Sequence, residues 1–331
     1  MKKKIIYIVI IVVIIVVVGF LSYESLKNER LMGEQGNKLE KVSLRLKWVD
    51  QAQFAGYYLT KSQGLYERKG LEVEISPGGP DISPAQMVAA GVNNFGITGA
   101  DQIILVRAKG VPLVALAVLY KDSPVTILSL KEKGIESPKD LEGKKVAVVY
   151  GRDEEVIYRA LLAKEGVDSS KIDEVPSMPS PTEVIYSVDA RVGYELNCPI
   201  LLNLMGYEVN LIKPRDYGIR FYGDTLFTTE KMIKENPELV RNFVKASIDG
   251  WKMALQNPEM AIDEVLKINS TLNREHQSRF LAASVPIIIG RGEIGYSEKK
   301  VWEEIQDTLI AQGMLKDAVD IDKVFTNEFL K

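Results

Sequence analysis

At 331 residues, 46% apolar and 26% charged, the chain is long enough for about two domains and too apolar for wholesale disorder. A formal charge of −3, with Lys and Arg scattered rather than striped among aromatics, gives no basis for a nucleic-acid partner. A single cysteine, Cys198, excludes an intrachain disulfide or CxxC site, and a single histidine, His276, excludes a multi-histidine metal centre and argues against a Ser-His-Asp triad.

Met1-Lys2-Lys3-Lys4 precedes an uninterrupted apolar run from Ile5 to Leu21. That run is at the short end of what spans a bilayer, about 17–25 residues, and the lysines assign the chain after it to the outer side. The expectation is a membrane anchor over residues 1–21; a cleaved secretory signal is the alternative, and either reading exports the protein. No cysteine follows the run for lipid attachment, and GFLSYES lacks a good small-x-small cleavage site. Residues 22–41 are polar and charged and read as a linker.

From Val42 onward, strands and helices alternate. Val42–Leu46 alternates as a strand, Phe54–Gln63 reads as a helix ended by Gly64, and Leu71–Ile75 as a strand closed by Pro77-Gly78-Gly79-Pro80. Ser83-Pro84 supplies an N-cap and first-turn proline for a helix through Ala90. Phe95–Thr98 is a short strand, Gln102–Lys109 a helix and Val111–Tyr120 a long buried strand. Further on, Thr126–Leu130, Val146–Tyr150 and Val209–Ile212 read as strands, and Glu154–Lys164 and Pro199–Leu204 as helices. Asn236-Pro237-Glu238 and Asn257-Pro258-Glu259 each signal a capped helix start. Leu239, Val240, Phe243, Val244, Ile248, Trp251 and Leu255 follow as one apolar stripe at helical spacing. The alternation predicts an α/β fold with open, largely parallel sheets.

In such sheets ligands lie outside the carboxyl ends of strands, where helix N-termini present free N–H groups. Two corners meet that rule. The first, within KWVDQAQFAGYY, concentrates Trp48, Gln51, Gln53, Phe54 and Tyr57: flat apolar faces beside amides that both donate and accept. Core packing competes as an account of Trp48 and Phe54, but buried glutamines need polar partners. The second corner offers small Gly99 and Ala100 with Asp101 as acceptor, or as a plain N-cap. Tyr120, Tyr150, Tyr194 and Tyr217 recur near strand ends and suit a cleft that sandwiches a ring, although each alone reads as structural. Tyr150-Gly151-Arg152-Asp153-Glu154-Glu155 opens a helix without matching a phosphate loop, so its acids read as solvated. His276 reads as exposed, and Cys198 as a small buried hydrophobe with ligand contact as the alternative.

LKWVDQAQFAGYYLTKSQGLYERKGLEVEI, AAGVNNFGITGADQIILVRAKGVPLVALAV, EEVIYRALLAKEGVDSSKI and DYGIRFYGDTLFTTEKMIKENPELVRNFVKASIDGWKMAL together resemble the thiamine-pyrimidine-synthase-like group of periplasmic solute-binding proteins, over roughly residues 42–260. The resemblance implies a two-lobed type II periplasmic-binding-protein fold, with residues 42–123 and 221–331 forming lobe one and 124–220 lobe two. It also implies a non-catalytic receptor that holds a heteroaromatic solute between the lobes and delivers it to an ABC transporter permease, with no cofactor. Trp48 and the tyrosines would stack, while Gln51, Gln53, Asp101, Asn197 and Asp224 would orient the solute. Gln51 stands where the pyrimidine branch has Asn, and Phe54 where it has the His its synthases need. In the second lobe Tyr194…Asn197-Cys198-Pro199 puts a thiol where the group has Glu. These departures point to a flat, weakly basic ligand such as a flavin rather than an aminopyrimidine. Sulfonate or nitrate binding is the alternative from related branches, and a pyrimidine-synthesising enzyme is the alternative from another class.

Overall fold

The computed structural model describes residues 39–331 except 179, 181 and 291, so the expected anchor and most of the linker lie outside the described residues. Among the described residues, no helix is long and apolar enough to cross a membrane. The described residues build two five-stranded sheets. The first has the order β2-β1-β3-β10-β4, from β1 (Glu40–Arg45), β2 (Leu71–Ser76), β3 (Phe95–Thr98), β4 (Leu113–Val118) and β10 (Thr225–Thr229). The second has the order β7-β6-β8-β5-β9, from β5 (Val125–Leu130), β6 (Lys145–Val148), β7 (Asp173–Pro176), β8 (Ala190–Tyr194) and β9 (Val209–Ile212).

The sheets are mixed: the expected parallel direction holds for most strands, and one strand in each sheet is reversed. β1 pairs with β3, and β6 with β7 and β8, in parallel. β10 runs antiparallel between β3 and β4, and β5 antiparallel between β8 and β9. Both reversed strands are those the chain enters on crossing from the other sheet. No helical crossover within the sheet precedes them, so the parallel direction that such a crossover imposes does not apply. β4 and β5 are buried at every position, which explains why they read as continuous apolar runs.

The apolar stripe lies on the long helix Pro237–Gln256, with Leu239, Val240, Phe243, Val244, Ile248 and Trp251 buried against the first sheet's core. Its expected Asn236 cap is not made by the side chain, which turns back to Met232, and Asn257 likewise turns back to Met253. Ser83 does cap its helix, accepting from the Gln86 amide. The helix Ala55–Ser62 crosses Pro237–Gln256 so closely that a Cβ on Gly56 would lie 2.2 Å from the Trp251 ring. Much of the opening stretch is thereby accounted for: Phe54 and Tyr57 are fully buried, and Tyr57 meets Trp251 edge-on at 5.7 Å between ring centroids.

Candidate functional site

β1 delivers Lys47 and Trp48 to its carboxyl end, directly before the turn that carries Gln51 and Gln53. Opposite them, β6 leads into the helix Asp153–Lys164, and β8 ends at Tyr194, just before the helix Cys198–Leu204. Lys47 reaches across to Asp153, its Nζ 2.6 Å from Oδ2, with both side chains almost wholly buried. The Tyr194 hydroxyl donates to the same carboxylate at 2.9 Å and also touches Lys47 Nζ. On the near side, Gln51 Nε2 donates to Gln53 Oε1 at 2.7 Å, and Gln53 Nε2 donates to Asp224 Oδ2 at 2.7 Å. Asp224 stands 3.9 Å from Lys47 Nζ, and Asn197 Nδ2 returns to Gln51 Oε1 at 3.5 Å. One polar network therefore crosses from the first sheet to the second and back.

The network encloses a cavity of about 60 Å³, lined by Lys47, Trp48, Gln51 and Gln53 from one side and by Val149, Glu154, Arg191, Gly193, Tyr194, Asn197 and Cys198 from the other. Beyond the Lys47–Asp153 pair lies a second cavity of about 230 Å³, to which Lys47 and Asp153 also contribute.

Four buried carboxyls surround one lysine. Burial alone would lower the Lys47 ammonium, but Asp153, Glu154 and Asp224 outweigh it and hold it above its usual value. Burial pushes Asp153 up, yet Lys47, with hydrogen bonds from Glu154, Lys47 and Tyr194, brings it below the ordinary carboxylate range. Burial, followed by the Asp153 charge, raises Glu154 to about 8 and Asp101 to about 7. Asp224 is raised by burial to about 6, with Lys47 opposing. Asp153 Oδ1 and Glu154 Oε2 have no N–H or hydroxyl partner among the described residues. A proton kept on Glu154 lets the two carboxyls bond each other, which two carboxylates could not do.

Among the sequence-selected residues, the structure places Trp48, Gln51, Gln53, Tyr194 and Asn197 on the first cavity and Tyr150 on the second. Asp224 joins through Gln53, and Asp101 lies behind Gln102, whose amide donates to it at 2.7 Å. Gly99 is the N-cap there, so Asp101 sits inside the helix Ala100–Ala108 rather than capping it. Phe54, Tyr57, Ala100 and Tyr120 are core residues, and Tyr217 packs against the core; none lines either cavity. The Tyr120 hydroxyl faces Ser284 at 3.3 Å.

Two further expectations are corrected. His276 is buried, not exposed, because its helix packs on Cys198–Leu204 and its Nε2 lies 3.1 Å from the Asn197 carbonyl oxygen. Asp153 and Glu154 are buried, not solvated, since their helix start is covered by the opposing corner.

Sequence reasoning missed Lys47, Asp153, Glu154 and Arg152. The strand-end rule already pointed to Lys47, which immediately precedes Trp48. Arg152 spends its donors on the backbone oxygens of Lys47, Gly79, Pro80 (3.1 Å) and Ile82 (3.0 Å), and its guanidinium lies 5.3 Å from the Trp48 ring centroid. Cys198 is buried at the first cavity, and burial keeps its thiol protonated.

Two sheets with a cleft between their strand ends define a periplasmic-binding-protein fold. The alkanesulfonate-binding protein SsuA from Xanthomonas axonopodis pv. citri, solved with MOPS, superposes with a TM-score of 0.69 at 18% identity, covering 86% of this chain and 98% of that one. The chain belongs to the NMT1/THI5-like family, whose profile matches residues 51–261. It is 28% identical over 306 residues to the riboflavin-binding protein RibY of Chloroflexus aurantiacus, covering 88% of this chain and 86% of RibY. It is 25% identical over 299 residues to the formylaminopyrimidine-binding protein of Halalkalibacterium halodurans, covering 87% and 90%. Further relatives carry the name 4-amino-5-hydroxymethyl-2-methylpyrimidine phosphate synthase.

Proposed function

We propose that this chain is the extracytoplasmic receptor of an ABC importer and captures a flat heteroaromatic solute, riboflavin-like or a thiamine pyrimidine precursor. Two lobes, 42–123 with 221–331 and 124–220, would close on it. The observation that carries this reading is the polar network spanning both sheets around a cavity lined by Trp48, Tyr194 and the amides of Gln51, Gln53 and Asn197. Rings stack on the aromatic faces, and the amides match the alternating donors and acceptors of a heterocycle's edge. The names of the riboflavin- and formylaminopyrimidine-binding relatives support the same ligand class.

A cavity of about 60 Å³ is smaller than the roughly 150 Å³ that admits benzene, so a ring enters only when the halves part. Lys47–Asp153, Gln51–Asn197 and Arg152 to the 79–82 backbone are the contacts that opening breaks. A solute that replaces them with contacts to both faces favours the closed state, which a permease then distinguishes from the open one. The apolar run at residues 5–21 fits a chain held at or sent across the membrane.

Anion capture has less support. Lys47 is paired with Asp153, Arg152 with backbone carbonyls and Arg191 with Glu183 at 3.1 Å, while carboxyls crowd the site. The synthase reading has less still, since position 54 carries a wholly buried Phe with no proton to transfer. Thermal unfolding with riboflavin, formylaminopyrimidine and MOPS tests the proposal. Riboflavin or the pyrimidine should raise the midpoint, a ligand at 100 times its Kd adding about 2.7 kcal/mol. Stabilisation by MOPS alone would overturn the heteroaromatic reading.

A further inference from the structure

The second cavity lies on the far side of the Lys47–Asp153 pair, and part of its lining is hydroxyls and amides. Ser83, Gln86, Thr98 and Gln102 from the first-sheet side face Tyr150 and Arg152 from the second. Gln86 and Tyr150 are exposed, as is Asp81 at the rim, so this end opens to water. Among the described residues, the cations that line it are Lys47 and Arg152. The first is held by Asp153, and the second is turned onto the carbonyl oxygens of residues 47, 79, 80 and 82. What remains for a ligand is a set of hydroxyls and amides beside an exposed acid, with Pro80, Ile82 and Pro84 along one edge.

We infer that the two cavities are the two ends of one slot, divided by Lys47 and Asp153, and that the polar end receives a neutral hydroxylated chain attached to the ring. This rests on the reading of the first cavity as a ring site and narrows it. Separation of Lys47 from Asp153, which ring entry already requires, joins the two spaces. A polyhydroxyl chain at a half-open polar end keeps part of its hydration, so its transfer from water costs little, and each hydroxyl meets a side chain that can donate or accept. A phosphorylated chain is discriminated against, because Asp81 at the rim repels it, Arg152 returns to the carbonyl oxygens of residues 79, 80 and 82 on closure, and the charge of Lys47 stays offset by the neighbouring Asp153. A bare pyrimidine leaves this end unused. The solute class is thus a flat ring bearing an uncharged polyol tail.

Affinities of the folded protein for lumiflavin, riboflavin and riboflavin phosphate, read by flavin fluorescence or calorimetry, test this. Riboflavin should bind about tenfold or more tightly than lumiflavin, which has the ring without the chain, since one or two net hydrogen bonds supply a factor of that size. Riboflavin phosphate should bind more weakly than riboflavin. Gln86→Ala, at an exposed helical position that folding does not depend on, should erode the preference of riboflavin over lumiflavin, and Gln86→Ala with Gln102→Ala should erode it further. Equal affinity for lumiflavin and riboflavin, or a preference for the phosphate, overturns the assignment of the second cavity while leaving the ring site standing. Failure of all three flavins to bind, with formylaminopyrimidine bound, also overturns it and leaves the heteroaromatic receptor intact. Binding of none of the four removes the ring site itself and this inference with it.

Discussion

Two helix starts meet across the cleft, and they are alike in sequence but not in charge. Ala100–Ala108 opens with Asp101 behind Gly99, and Asp153–Lys164 opens with Asp153 behind Arg152. Each carboxyl is buried in a first turn, where the helix's partial positive charge favours an anion. Asp153 is nevertheless kept ionised by Lys47 and Tyr194, whereas Asp101, bonded to the Gln102 amide, is raised to about 7 by burial and then by the Asp153 charge. A helix terminus does not by itself decide which buried acid carries charge. Here a lysine from a third segment decides it. The starts also touch: a Cβ on Gly99 would lie 2.5 Å from Asp101 Oδ1 and 2.9 Å from Asp153 Cβ.

Removing the lysine should collapse the difference. Lys47→Met leaves Asp153 buried without its countercharge and should cost about 3–5 kcal/mol of stability at neutral pH, measured by urea unfolding. A cost under about 1 kcal/mol would mean that the ion pair does not set the charge asymmetry. Next in size is Gly99→Ala, whose methyl must push the two starts apart. Overpacking of this kind costs about 1–3 kcal/mol, and the shifted Asp153 should weaken ligand binding in the same variant. Unchanged unfolding and unchanged affinity would show that the two starts have room to move.

The two starts differ in their neighbours as well, since Arg152, the residue before the second, covers the Trp48 ring. Trp48→Ala should therefore remove about 1–3 kcal/mol of ligand affinity, the range found when an aromatic platform under a stacked base is deleted. Calorimetry at fixed pH reads it. Unchanged affinity would make Trp48 a packing partner of Arg152 and no part of the ring site.

Much of the fold and part of the site are legible in the sequence. Periodicity locates most strands and helices, and the strand-end rule selects Trp48, Gln51, Gln53 and Tyr194 because it depends only on where a strand stops. The family likeness is legible too, from long stretches of motif. What local pattern does not supply is partnership at a distance. Lys47 and Asp153 are 106 residues apart, and an acid in a helix's first turn looks the same whether water or a lysine faces it. The fate of Phe54 and Tyr57 is hidden for a related reason: they share a turn with the cleft residues but are buried in the core, Tyr57 against Trp251, nearly 200 positions on. The reversed strands β5 and β10 escape because strand direction is a property of the chain's route, not of residues such as Thr225–Thr229.

The finest test of the comparison concerns the proton that separates Glu154 from its neighbour. Burial and the Asp153 charge raise Glu154 to about 8, far above its value in an unfolded chain near 4.5. Between those two pH values the folded protein holds a proton that the unfolded chain has released, so stability falls as pH rises through this window. Asp101 and Asp224, raised to about 7 and about 6, add to the decline over the lower part of it. Asp153 acts in the opposite sense: its depressed value contributes stability that is present above its unfolded range near 3.8 and is lost only in stronger acid. Glu154→Gln carries the neutral form permanently. It should match the parent near pH 5 and then gain on it by up to roughly 1 kcal/mol per pH unit toward pH 8. Urea midpoints at pH 5, 6, 7 and 8 read the difference. Parallel curves for parent and variant would place the charge on Glu154 already at pH 5, and with it remove the shared proton that lets two buried carboxyls stand side by side.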